Sequence, residues 1–95
     1  MDTIGTDTVF AQSEAVLFTH LDDEMSLMDI ESGEYYHYDA TGAAIWKLID
    51  GTKDVSGICR KLREEYSVSE ETCQSDTIDF LRQLLDMKLI TRLDS

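Results

Sequence analysis

Short strand-like runs bounded by polar turns fill residues 15–38, and the spacing of apolar residues then changes to three and four. From Ala15 to Leu21 the text reads AVLFTHL, with Val16, Phe18 and His20 on one face of a strand and Leu17, Thr19 and Leu21 on the other. Asp22-Asp23 is turn-like and leads to a second strand, Glu24 to Ile30. Ser32-Gly33 makes another tight turn before a third strand, Glu34 to Tyr38. This reads as a three-stranded antiparallel meander. Residues 1–13 read as a flexible N-terminus, with Thr8-Val9-Phe10 a short strand that tucks down through Phe10.

At Asp39 the period becomes helical. Asp39 or Thr41 caps a first helix through Ala43, Ile45, Trp46, Leu48 and Ile49, and Gly51 is expected just past its end. Asp54 caps a second helix whose Val55, Ile58, Cys59, Leu62 and Tyr66 share one face. Ser69 caps a third and longest helix, Glu70 to Met87, with Glu70 and Glu71 in its first turn. Val68 should plug the corner before it. The apolar arc of the third helix covers about half the circumference, more than the ~100° one core needs. The excess is either ordinary packing or one wall of a groove. Leu89-Ile90 closes the unit, with Leu93 in a terminal strand. The fold class is α+β: a small winged helix-turn-helix-like domain over 14–93, a three-stranded antiparallel sheet followed by three helices.

With 95 residues the chain has room for one modest core. Twenty Asp and Glu against eight Lys and Arg give a formal net charge of -12. The basic residues are scattered and form no stripe, which disfavours nucleic acid and anionic membrane and favours a peptide or protein partner. No apolar run is long enough for a membrane span, and the start carries no signal-like segment, so a cytoplasmic protein is expected. Cys59 and Cys73 lack metal spacing and read as buried, reduced thiols. His20 and His37 read as half-exposed strand residues, not a metal pair. No cofactor motif and no catalytic constellation is found, so neither an enzyme nor a cofactor is expected.

The segment Glu34 to Tyr38 carries the most information. Tyr36 and Tyr38 fall on one face and Tyr35 and His37 on the other. As the last strand of the meander it is an edge, and its centre is uncharged, which suits pairing with a peptide strand. Equally, Tyr35 and His37 can pack beneath the third helix. The residues alone leave both readings open.

Three stretches then act together: LMDIESGEYYHYDATGAAIW (27–46), DVSGICRKLREEY (54–66) and SDTIDFLRQLLDMKLI (75–90). The run from Val16 to Ile90 resembles the PqqD family, the discrete form of the precursor-peptide recognition element. That resemblance implies a strand-first winged fold that binds the leader of a ribosomally made precursor peptide. It implies presentation of the leader to a radical-SAM enzyme, or to a leader peptidase and a cyclase in lasso-peptide systems. Carried onto this chain, the leader pairs with Glu34, Tyr35, Tyr36, His37 and Tyr38. Tyr35 and His37 then face the groove, and Tyr36 and Tyr38 are the inward pair. The opposite wall would be Ile78, Leu81, Arg82 and Leu85. Asp39 stands where the family commonly has Asn, and Lys88 where Gly usually ends the last helix. A DNA-binding winged helix and an acidic adaptor that stabilises a larger enzyme are the alternatives. Both a monomer and a homodimer fit, because a free edge also pairs with a second copy.

Overall fold

The computed structural model describes residues 4–93. Strands β2 (Val16–Leu21), β3 (Glu24–Asp29) and β4 (Tyr35–Tyr38) follow a short β1 (Val9–Gln12). Helix α1 (Ala40–Leu48) leads through β5 (Asp50–Asp54) to α2 (Val55–Glu65), and α3 (Glu70–Asp86) leads to β6 (Ile90–Leu93). The expected meander is present as a sheet of order β2-β3-β4. A second sheet, of order β5-β1-β6, lies outside the three-stranded architecture that the sequence predicts. It makes the winged-helix comparison a loose one, while the α+β class stands.

The second sheet arises from residues that are inconspicuous in the sequence. The short strand expected at Thr8-Val9-Phe10 runs instead over Val9–Gln12 and is the middle strand, paired antiparallel with β5 and β6. Phe10 does tuck down and is 1 % exposed. Gly51 was expected just past α1; instead it lies within β5 at φ 85. The helix ends earlier, at Ile49, whose N–H donates to the Trp46 carbonyl. Tyr66 is exposed at the end of α2 and does not share its buried face.

All three expected helix caps form. Asp39, Asp54 and Ser69 each accept a bond from the backbone N–H three residues on. At the far end of α3, Lys88 is left-handed at φ 62. Its N–H donates to the Leu85 carbonyl and that of Leu89 to the Leu84 carbonyl, both at 3.0 Å. This closure normally uses Gly, and a lysine there costs about 1 kcal/mol. Burial of Leu89 and Ile90 directly after the turn offsets that cost.

The core joins both sheets to the helices. Trp46 of α1, Met25 and Leu27 of β3, Ile58 of α2 and Leu81 and Leu84 of α3 are all buried in one cluster. Cys59 and Cys73 are free and buried, with the Cys59 thiol donating to Thr77 Oγ1 at 3.6 Å. Burial pushes the Cys59 thiol up to about 11. Among the described residues no helix is long and apolar enough to cross a membrane.

Candidate functional site

Strand β4 is one edge of its sheet, with β3 on its inner side. Met25 pairs with Tyr38 and Leu27 with Tyr36, so Tyr36 and Tyr38 share the face of those two buried residues. They are half-buried, as an inward pair should be. Asp29 donates its N–H to the Glu34 carbonyl at 2.9 Å, which makes 29 and 34 a hydrogen-bonded pair. Bonded and non-bonded pairs alternate in an antiparallel ladder. Tyr36 and Tyr38 therefore bond inward to β3. The N–H and C=O of Tyr35 and His37 point away from the sheet, where a further strand can take them.

The side chains of Tyr35 and His37 lie on the other face. This corrects the expectation that they line a groove against α3, because alternation sends them away from Tyr38. Tyr35 is 73 % exposed. His37 is held on the outer face by β3, with Nδ1 3.3 Å from Ser26 Oγ and Nε2 2.5 Å from Glu24 Oε1. A Ser–His–Glu row has the residue types of a hydrolytic triad. Here the His37 and Glu24 side chains are 60 % and 55 % exposed, so water competes for each bond. The row bridges β3 and β4 on the solvent face.

The helix wall also differs from the expected one. Phe80 of α3 meets Tyr38 edge-on, with ring centroids 5.3 Å apart. Gly42 of α1 sits under both rings: a Cβ there would be 3.0 Å from Tyr38 Cβ and 3.4 Å from Phe80 Cζ. At 100° per residue, Asp76, Phe80, Gln83 and Met87 form one stripe along α3. Asp76 and Gln83 are exposed, and Phe80 and Met87 are half-buried. Ile78, Leu81, Arg82 and Leu85 lie about 100–160° around the helix from Phe80. Leu81 is 0 % exposed and is a core residue, not a wall. Ile78 and Leu85 pack against the core, and Arg82 is exposed on that other side. The broad apolar arc of α3 had two edges, and the structure turns the Phe80 edge toward β4. Phe80 was visible in the sequence only as a member of that arc.

The site is acidic and aromatic. Tyr36 donates its hydroxyl to Glu34 Oε2 at 2.7 Å, and that bond, with burial and the carboxylate charge, pushes the phenol up to about 12. Burial alone raises Tyr38. From residue 9 to residue 39 there are eight Asp and Glu and no Lys or Arg. Elsewhere, a cleft of about 640 Å³ opens between α1 and α2, with Ala44, Lys47, Lys61 and Tyr66 in its lining. It shares no residue with β4 or α3. Among the described residues no group of His, Cys, Asp and Glu is placed to hold a metal ion.

An edge strand, an aromatic contact to the last helix and the turn between them all fall within residues 24–90. That stretch matches the family model described as coenzyme PQQ synthesis protein D. The chain belongs to the PqqD family. Two solved structures resemble this PqqD-family chain. One is "TbiB1 in Complex with the TbiA(beta) Leader Peptide", with 35 % identity and a TM-score of 0.81. The match covers 90 % of this chain and 99 % of that one. The other is "Lasso peptide synthetase B1 complexed with the leader peptide", with 22 % identity and a TM-score of 0.78 over 86 % of this chain and 96 % of that one. At that identity the second likeness speaks to the fold. Among curated proteins no match is found.

Proposed function

We propose that this PqqD-family chain binds the leader of a ribosomally made precursor peptide as an added antiparallel strand on β4. It then presents the leader to a modifying enzyme, in a lasso-peptide system a leader peptidase and a cyclase. The observation that carries this reading is the edge of β4, where among the described residues no strand pairs with the outward main-chain groups of Tyr35 and His37, beside the Tyr38–Phe80 contact. Main-chain bonds give affinity to an extended guest, and alternate guest side chains give specificity. Those opposite Tyr36 and Tyr38 would lie against Phe80, which suits an apolar or aromatic residue. The 35 % identity to TbiB1, whose structure holds a leader peptide, supports the same reading.

The chain's own part is binding and positioning. In this reading the chemistry belongs to the partner enzyme, and the Ser26–His37–Glu24 row, the one arrangement with catalytic residue types described above, is open to water. Two buried free thiols suit a reducing cytoplasm. A DNA-binding role is opposed by charge, since Asp76, Asp79 and Asp86 are exposed along α3.

Labelled leaders synthesised from short reading frames beside the gene, and the TbiA(beta) leader, test the proposal by titration with residue-level amide exchange. Saturable binding that slows exchange at Tyr35 and His37 is expected. Binding without protection of those amides would move the site off β4, and no binding by any leader would overturn the reading.

A further inference from the structure

The sheet β2-β3-β4 has a second edge, β2, which no other strand covers among the described residues and which the leader reading does not use. The family match begins at Glu24 and does not include it. Ile30 donates its N–H to the Ala15 carbonyl, so residues 15, 17, 19 and 21 bond inward to β3. The N–H and C=O of Val16, Phe18 and His20 therefore point outward.

Exposed edges are normally guarded by charge, proline, bulges or brevity. The β5 edge shows such guards: Asp50, Lys53 and Asp54, a register shift against β1, and Gly51 at φ 85. Strand β2 has none. Its six residues carry no charge and no proline, and its pairing with β3 runs through six positions without a shift. Leu17 is 55 %, Phe18 42 % and Leu21 76 % exposed. On the outer face Leu17 pairs with Met28, which pairs with the exposed Tyr35, so an apolar row runs toward this edge.

Acids bracket the edge. Glu14 precedes it and Asp22, Asp23 and Glu24 follow it, with Asp29 and Glu31 at the far end of β3. No Lys or Arg occurs before Lys47. A second copy would bring the same acids together and meet repulsion. We infer that β2 is a docking edge for an extended segment of a partner protein, one with apolar residues at its centre and Lys or Arg at its ends. Such a segment and a leader on β4 would extend one sheet from opposite sides.

Two synthetic peptides supplied in large excess test this. Both alternate valine and threonine; one has paired lysines at each end and the other paired glutamates. The lysine peptide should slow amide exchange at Val16, Phe18 and His20 by about tenfold or more at low salt, and added salt should weaken the effect. Phe18→Pro removes an outward N–H without touching the ladder to β3 and should abolish the slowing at His20. Glu14→Lys with Asp23→Lys, both exposed positions, should erase the preference for lysine ends. The inference is overturned by no slowing at these amides in the folded wild-type chain, by equal slowing with both peptides, or by slowing at Tyr35 and His37 alone. Slowing that grows with protein concentration in the absence of peptide would make the occupant a second copy and overturn it as well.

Discussion

The ring of Tyr38 on β4 meets the ring of Phe80 on α3 edge-on, at 5.3 Å between centroids and 89° between planes. This contact ties an edge strand to the last helix, and in the proposed reading it forms the wall beside a guest strand. An edge-to-face pair adds about 0.5–1.5 kcal/mol beyond its buried area.

Phe80→Ala should therefore lower leader affinity by about tenfold or more while costing about 1–3 kcal/mol of stability. Leu85→Ala, on the far flank, should cost stability and leave affinity alone. Anisotropy titrations paired with urea unfolding separate the two effects. Equal losses of affinity in both variants would reject the Phe80 wall.

His37→Pro should remove an outward donor and leave the main-chain ladder to β3 in place, because edge strands accept proline where the N–H faces solvent; it also removes the exposed imidazole contacts to Ser26 and Glu24. Circular dichroism should stay close to wild type while leader binding falls at least about tenfold. A folded variant with full affinity would show that the guest does not pair with β4.

Gly42→Ala places a methyl 3.0 Å from Tyr38 Cβ, so Tyr38 and Phe80 must yield. The helix gains up to about 1 kcal/mol from the better residue, which opposes the crowding. Stability should change by less than about 1 kcal/mol, yet leader affinity should fall severalfold because the aromatic wall has shifted. Thermal unfolding and titration of the same sample check both halves.

Leu81→Glu should unfold the chain, since it places a carboxylate among fully buried residues at a cost of several kcal/mol. Loss of the cooperative thermal transition is the expected readout. A folded, stable Leu81→Glu protein would return this residue to the surface.

Tyr36 ionises at about 12 in the folded chain, above its ordinary value of 10.0. The unfolded chain ionises first as pH rises. The contribution of Tyr36 is thus complete below pH 10 and is lost between about 10 and 12. Ultraviolet titration of Tyr36→Phe should lack the latest-ionising phenol seen in wild type.

The sequence alone determined what local chemistry controls. Asp39, Asp54 and Ser69 announce their helices because a short polar side chain satisfies a free N–H whatever lies around it. The alternation in β2 and β4 marks strands and their faces, since side-chain direction follows the pleat. The free edge at Glu34–Tyr38 was legible from its place as the last strand of a meander joined by tight turns. Tertiary structure decided everything that depends on partners far along the chain. Val9–Gln12 and Asp50–Asp54 become a sheet only through each other and Ile90–Leu93, across spans that local pattern does not encode. Period alone gave α3 an apolar arc with two equivalent edges. Docking against α2 and both sheets buried Leu81 and turned Phe80 to Tyr38, because which edge of a wide arc faces a groove depends on the helix's rotation in the packed core.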